Sequence, residues 1–143
     1  MLKGISPLIP PELLKILAEM GHGDEIVLSD ANFPAAANGK RVVRCDGVSI
    51  PDMLDAVLRL LPLDTYVKAP VVLMQTVPGD PQPPIWEEIQ AVVERHAPGT
   101  AVEYNERFAY YDRAREAFAV VQTGETALYA NVILKKGVIG KNG

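Results

Sequence analysis

The chain has 143 residues, of which 48% are hydrophobic and 22% are charged, a balance typical of one globular domain. We therefore expect residues 1–143 to form a single domain. The 18 acidic and 14 basic residues give a net charge of −4. This charge argues against a nucleic-acid partner, because phosphate binding requires a basic surface.

The predicted elements alternate along the chain. The first half contains a helix at residues 11–20, a strand at 25–29, a loop at 32–40, a strand at 41–45 and a helix that begins at Ser49. The second half contains a strand at 71–77, a loop at 79–84, a helix at 85–96, a strand at 101–104, a helix at 107–117 and strands at 118–122 and 129–134. This alternation predicts an α/β fold with helices on the faces of a sheet, but it does not give the strand order.

The sequence also indicates where the protein works. No apolar run approaches the ~20 residues of a membrane helix, and no apolar signal core follows Lys3. The single cysteine, Cys45, cannot form an intrachain disulfide, which fits a reducing compartment. We expect a cytoplasmic protein that does not bind a membrane.

Two polar residues flank the first predicted strand. His22 lies in a Gly-His-Gly-Asp turn before this strand, and Asp30 directly follows it. A histidine can give and take a proton near neutral pH, and ligands of open α/β sheets bind beyond the carboxyl ends of strands. His22 is therefore a candidate acid–base residue and Asp30 a candidate binding residue. The alternative is structural, with a helix-ending turn and a strand cap.

Three further candidates lie in the second half of the chain. Arg107 stands beside aromatic residues, and a guanidinium with aromatic faces suits the polar and C–H surfaces of a sugar. Tyr129 and Asn131 alternate along the last predicted strand, so we expect them on the same side of the sheet. If buried there, a hydroxyl and an amide need partners or a ligand. The alternatives are a solvated helix for Arg107 and an edge strand facing water for Tyr129 and Asn131.

Several kinds of site are absent from the sequence. There is no phosphate-binding loop, no dinucleotide fingerprint and no nucleophile elbow. Two histidines and one cysteine, far apart in the chain, form a poor metal-ligand set, so we expect no metal site. Cys45, in an apolar strand, and His96, on an apolar helical face, are expected to be structural.

Short motifs along the whole chain are specific when they occur together. They are Gly21-His22-Gly23-Asp24-Glu25, Ser29-Asp30-Ala31, Phe33-Pro34, Arg107-Phe108-Ala109-Tyr110-Tyr111, Thr123-Gly124-Glu125 and the pair Tyr129 and Asn131. With these motifs the chain resembles the L-fucose mutarotase and ribose pyranase family, and its fucose branch in particular. Two positions depart from that pattern. Asn32 stands where close fucose homologues often carry histidine, and Ala130 replaces a glycine.

The resemblance implies a fold, an activity and a set of roles. The family's fold is a three-layer α/β/α sandwich, and its members interconvert ring forms of a free monosaccharide without a cofactor. The implied proton donor is His22, and the implied sugar-binding residues are Asp30, Arg107, Tyr129 and Asn131. The family assembles as ring-like homo-oligomers, often decamers, with the sugar bound where subunits meet. The resemblance thus predicts an isomerase, most similar to the L-fucose mutarotases.

Three rival functions remain at the level of sequence. The chain is alternatively a ribose pyranase, a monosaccharide-binding protein without catalysis, or a structural oligomer in which His22 and Tyr129 only hold subunits together. Faster anomer exchange separates an enzyme from a binding protein. A sugar-dependent rise in melting temperature separates both from a structural oligomer, because a ligand of the native state stabilises it.

Overall fold

A computed structural model of the chain describes residues 1–142 as one six-stranded sheet with helices on both faces. The strands are β1 (Glu25–Ser29), β2 (Val42–Cys45), β3 (Val71–Met74), β4 (Val102–Asn105), β5 (Ala119–Thr123) and β6 (Val132–Lys135). Their order is β2-β5-β1-β6-β3-β4. β6 runs antiparallel to β1 and β3, whereas the other neighbouring pairs are parallel.

Residues 1–142 contain five helices, of which the first precedes β1 and each of the other four connects two successive strands. They are α1 (Pro11–Glu19), α2 (Ala35–Asn38), α3 (Ile50–Leu58), α4 (Ile85–His96) and α5 (Arg107–Glu116). The Ser49 hydroxyl caps α3 by accepting from the Asp52 N–H at 3.3 Å. The Glu106 carboxylate caps α5 by accepting from the N–H groups of Phe108 and Ala109. Such caps satisfy N–H groups that have no partner within the helix.

The central strand β1 is buried on both faces. Ile26 and Leu28 pack into a core shared with α1, α3 and α4, whereas Val27 packs into a smaller core shared with α2 and α5. Successive side chains of a strand point to opposite faces, so one strand contributes side chains to both cores. This arrangement confirms the predicted three-layer α/β/α architecture. Cys45 is buried in the larger core, as expected.

Three predicted boundaries are wrong. The expected loop at 32–40 contains the short helix α2, and the predicted strand at 71–77 ends at Met74. The last strand begins at Val132 rather than at Tyr129, because Tyr129 adopts a left-handed backbone conformation with φ 58°. A strand cannot pass through that conformation. Tyr129 and Asn131 therefore precede the strand on which they were predicted to alternate.

None of the helices within residues 1–142 combines the length and the apolar composition required to cross a bilayer.

Candidate functional site

A cavity of about 260 Å³ opens at the edge of the sheet where β1 and β3 end and β6 begins. Four predicted site residues line it: Asp30, Arg107, Tyr129 and Asn131. Asp30 follows β1, and Arg107 opens α5 just beyond the end of β4. The volume is slightly below the ~300 Å³ at which pockets for drug-sized ligands begin, so the cavity suits a small molecule.

Asp30 and Asn131 form the buried floor of this cavity. The Asp30 N–H donates to Asn131 Oδ1 at 2.9 Å, and Asn131 Nδ2 donates to Asp30 Oδ2 at 3.3 Å. The Asn32 N–H donates to the other carboxylate oxygen of Asp30 at 2.9 Å. Burial raises the pKa of Asp30, although the hydrogen bond from Asn32 partly opposes this shift. The floor thus presents a carboxylate with restricted solvation and a fixed orientation to any ligand.

Hydrogen bonds hold both the side chain and the backbone of Tyr129. Its hydroxyl donates to Asp80 Oδ2 at 2.6 Å and accepts from the Val77 N–H at 3.2 Å. Its carbonyl oxygen accepts from the indole N–H of Trp86 at 3.0 Å. The hydrogen bond to Asp80 raises the pKa of Tyr129, so the phenol keeps its proton at neutral pH. Because its one proton is donated to Asp80, the Tyr129 hydroxyl can accept a hydrogen bond from a ligand, and it is not suited to acting as a base.

Arg107 supplies positive charge beside the acidic floor. Its Nε donates to the Tyr111 hydroxyl at 3.2 Å, and its guanidinium carbon lies 5.5 Å from the centre of the Tyr111 ring. That hydrogen bond is the main cause that raises the pKa of Arg107. Tyr111 and Phe33 lie with ring centres 5.6 Å apart and form an aromatic wall of the cavity. The cavity therefore combines a cation, a carboxylate, an amide and aromatic surface, a set suited to a polyhydroxylated ligand.

His22 lies at the other end of β1 from this cavity. β1 has five residues and rises ~3.3 Å per residue, so roughly 16 Å of strand separates His22 from Asp30. The imidazole is 43% exposed and makes a hydrogen bond through Nε2 to Asp64 Oδ1 at 3.0 Å. The ring of Tyr66 lies against it, with centroids 5.3 Å apart. Within one subunit, His22 and Asp30 therefore do not converge.

A second, larger groove adjoins the cavity. Its volume is about 730 Å³, and it shares Asp80, Leu128 and Tyr129 with the cavity. Leu128 is 70% exposed, and four prolines line the groove: Pro51, Pro81, Pro83 and Pro84. An exposed apolar surface that continues into a polar cavity is typical of a surface that binds another molecule.

No three His, Cys, Asp or Glu side chains of residues 1–142 come together in a cluster that could hold a metal ion.

Residues 3–139 match the model of the RbsD / FucU transport protein family. The chain belongs to this family. The resemblance predicted from the short motifs is thereby confirmed.

Among members of the RbsD/FucU family, the chain is similar in sequence and structure to fucose mutarotases. It is 53% identical to the fucose mutarotase of Homo sapiens, over 99% of this chain and 96% of that protein. It is 54% identical to the L-fucose mutarotase of Actinobacillus pleuropneumoniae, over 96% of this chain and 97% of that protein. Its structure superposes with a TM-score of 0.93 on the crystal structure of the fucose mutarotase from Streptococcus pneumoniae in complex with L-fucose. That protein is 51% identical, and the match covers 97% of this chain and 100% of the other.

Sequence reasoning missed two carboxylates that hold candidate site residues of this RbsD/FucU family member. Asp80 lies in the stretch that was predicted only as a proline-rich loop, yet it accepts the hydrogen bond of Tyr129. Asp64 was not singled out, yet it accepts the hydrogen bond of His22. The available signal for Asp64 was weak. An aspartate two residues before Tyr66 fits a side chain that accepts from the N–H two positions on, a common turn.

Proposed function

We propose that this protein is a mutarotase that interconverts the α and β anomers of free L-fucose in the cytoplasm, without a cofactor. The observation that best supports this proposal is the cavity that joins Asp30, Asn131 and Arg107. The cavity lies in a fold that matches a fucose mutarotase complexed with L-fucose, at 51% identity. Its polar groups suit the hydroxyls of one monosaccharide, and its volume leaves no room for a long glycan. The buried free cysteine, Cys45, agrees with a cytoplasmic location.

The reaction requires only the movement of protons. When the ring opens, the anomeric hydroxyl loses a proton, the bond from the anomeric carbon to the ring oxygen breaks, and the ring oxygen gains a proton. The aldehyde then rotates and the steps reverse on its other face, so the net composition is unchanged. General acid–base groups typically contribute ~10²–10⁴-fold, which suffices for a reaction that already proceeds unaided.

The cavity residues would hold the sugar while the protons move. Asp30 would accept hydrogen bonds from sugar hydroxyls, and Arg107 would donate to sugar oxygens. Tyr129, whose phenol keeps its proton, would form a hydrogen bond to the sugar and stay neutral. Asn131 would fix Asp30 and orient a hydroxyl, since its amide both donates and accepts.

His22 would act in the cavity of a neighbouring subunit. Three observations support this assignment: its separation from Asp30, the exposure of 43% of its side chain and of 77% of Tyr66, and the groove beside the cavity. The contact would be heterologous, because the exposed histidine and tyrosine of one copy would meet the open groove of another. Such contacts close into a ring when the rotation from one subunit to the next divides a full turn. We propose a ring-like homo-oligomer, a decamer as in the family, in which each site uses two subunits.

Saturation-transfer NMR between the α and β anomeric protons of L-fucose tests the activity. The protein should accelerate exchange, and His22→Ala should lose most of the acceleration while it stays folded and keeps its subunit number. His96→Ala is the matched control, because His96 faces Asp55 between α3 and α4, away from the cavity. Unaccelerated exchange by the wild-type protein would reject the mutarotase function. D-ribose run in parallel tests the ribose pyranase alternative.

Mixed oligomers test the shared site. We expect an oligomer made only of His22→Ala subunits to be nearly inactive. The same is expected of an oligomer made only of Arg107→Ala subunits. If the site joins two subunits, random co-assembly at equal amounts restores both groups in roughly a quarter of the sites. If each site belongs to one chain, the mixture stays as inactive as its parents, and the proposed assembly is wrong even where the mutarotase activity itself is present.

A further inference from the structure

We propose that Trp86 is a positioning residue for Tyr129, and that its indole N–H holds the left-handed backbone through which Tyr129 and Asn131 both reach the sugar. This inference rests on the proposed binding of L-fucose by Tyr129 and Asn131. Trp86 itself lines neither the cavity nor the adjoining groove, so it acts on the sugar through Tyr129.

The backbone of Tyr129 has a conformation that residues with a side chain rarely adopt. Tyr129 has φ 58°, and it is the only non-glycine residue with a positive φ among residues 1–142. Such conformations persist only where the surrounding structure holds them, and they cluster at functional sites. The chain then passes through the fully buried Ala130 to Asn131, which binds Asp30 before β6 begins. The direction of the Tyr129 carbonyl therefore influences where Asn131 lies.

The indole of Trp86 is a buried and well-supported donor. Its Nε1–H donates to the Tyr129 carbonyl at 3.0 Å, and 7% of the residue is exposed. The Trp86 backbone N–H donates to the Pro83 carbonyl at 3.1 Å, at the start of α4. The indole ring lies against the ring of Tyr104, with centroids 5.1 Å apart. Because an indole nitrogen can only donate, this contact favours the backbone conformation that presents a carbonyl oxygen to it.

One segment of the chain contacts both the side chain and the backbone of Tyr129. Val77 and Asp80 lie between β3 and α4, and Trp86 is the second residue of α4. Val77 and Asp80 bind the phenol, whereas Trp86 binds the carbonyl. The bonds to the phenol act through a rotatable side chain, but the bond to the carbonyl acts on the rigid peptide plane that follows Tyr129. Trp86 therefore supplies the contact that fixes the direction of the backbone, as precise positioning of a binding group requires.

The dependence of anomer exchange on the concentration of L-fucose tests the positioning role. Trp86→Phe keeps an aromatic ring in the core but loses the N–H, so we expect KM for L-fucose to rise by about 3- to 10-fold, the equivalent of one hydrogen bond. The value of kcat should change little, because the substitution does not alter His22. Tyr104→Phe is the matched control. It also removes one polar group beside α4, the hydroxyl that accepts from Gln90, and it should leave KM unchanged.

A merely structural role for Trp86 gives a different result. If Trp86 only stabilised the fold, Trp86→Phe would lower the melting temperature and the amount of folded protein, and with it the apparent kcat. The sites that remained folded would then act on L-fucose with the KM of the wild type. An unchanged KM in Trp86→Phe would therefore overturn the proposal.

The indole can also be observed in the wild-type protein, without any substitution. Trp86 is the only tryptophan in the chain, so ¹⁵N-tryptophan labelling gives a single indole N–H signal in NMR spectra. L-fucose should shift this signal until the sites are saturated, because a sugar bound by Tyr129 and Asn131 alters the carbonyl that the indole N–H binds. An equal concentration of glycerol is the control and should leave the signal in place.

The two measurements together separate the inference from the proposed function. Wild-type protein that accelerates anomer exchange but shows no shift of the indole signal would refute the positioning role alone. Wild-type protein that neither accelerates exchange nor binds L-fucose would reject the proposed function, and the positioning role with it.

Discussion

Asn131 holds Asp30 at two points, its backbone N–H and its carboxylate, across 101 residues of chain. The two meet because β6 runs antiparallel to β1, so the residue before one strand lies beside the residue after the other. Asp30 is 6% exposed and Asn131 is 4% exposed. Each group is therefore the partner that the other needs in a place that excludes most water.

Replacing Asn131 should cost stability as well as sugar binding. Asn131→Ala leaves the Asp30 N–H and one carboxylate oxygen without their partner, an expected loss of about 1–3 kcal/mol in unfolding free energy. Asn131→Asp is the informative comparison, since it keeps the acceptor for the Asp30 N–H but places two carboxylates together. Its melting temperature should fall at neutral pH and recover partly on acidification, when the pair can share a proton. A melting temperature for Asn131→Ala equal to that of the wild type would show that this hydrogen-bonded pair adds nothing to the fold.

The pattern of the chain predicts the fold well and the site incompletely. Period-two and period-3.6 apolar patterns reflect local burial, so the predicted bounds of β1 and α4 agree with those in the structure. The strand start at Val132 was missed because a non-glycine residue in a left-handed conformation, here Tyr129, carries no local signal. Contacts such as His22 with Asp64 depend on strand order, which periodicity does not contain.

The raised pKa of Asp30 predicts a specific dependence of stability on pH. Burial raises this pKa above its ordinary value of 3.8, so the stability contributed by the protonated form is present below that value. It is lost as pH rises through the higher folded-state pKa. The stability of Asp30→Asn relative to wild type should therefore increase between about pH 3 and about pH 7.

Thermal unfolding of both proteins over that pH range checks this expectation. Asp112→Asn is the control, because Asp112 lies on α5 outside the cavity and has 72% of its side chain exposed. A difference between Asp30→Asn and wild type that does not vary with pH would contradict a raised pKa for Asp30.

The hydrogen bond between Tyr129 and Asp80 predicts a measurable change in the titration of one tyrosine. The hydrogen bond to Asp80 raises the pKa of Tyr129, so Asp80→Asn should let this phenol ionise at lower pH. Ultraviolet absorbance of phenolate follows the five tyrosines of the chain, and one of them should shift. The shift should vanish in a Tyr129→Phe background. An unchanged titration of Asp80→Asn would show that the contact does not govern the phenol.

Substitution of Gly124 should destabilise the fold, for a steric reason that does not apply to Gly47. A Cβ at Gly124 would overlap the Asp46 carbonyl and lie 2.8 Å from its carbon, whereas a Cβ at Gly47 would meet nothing within 4 Å. Because the obstacle is backbone, β2 or the turn after β5 must move, and the N–H of Gly124 would leave the Val48 carbonyl that it binds at 3.0 Å. We expect Gly124→Ala to lose about 2–3 kcal/mol of unfolding free energy and Gly47→Ala to lose almost none. Melting temperatures compare the two directly, and equal values would mean that the close approach of the two backbone segments is not required.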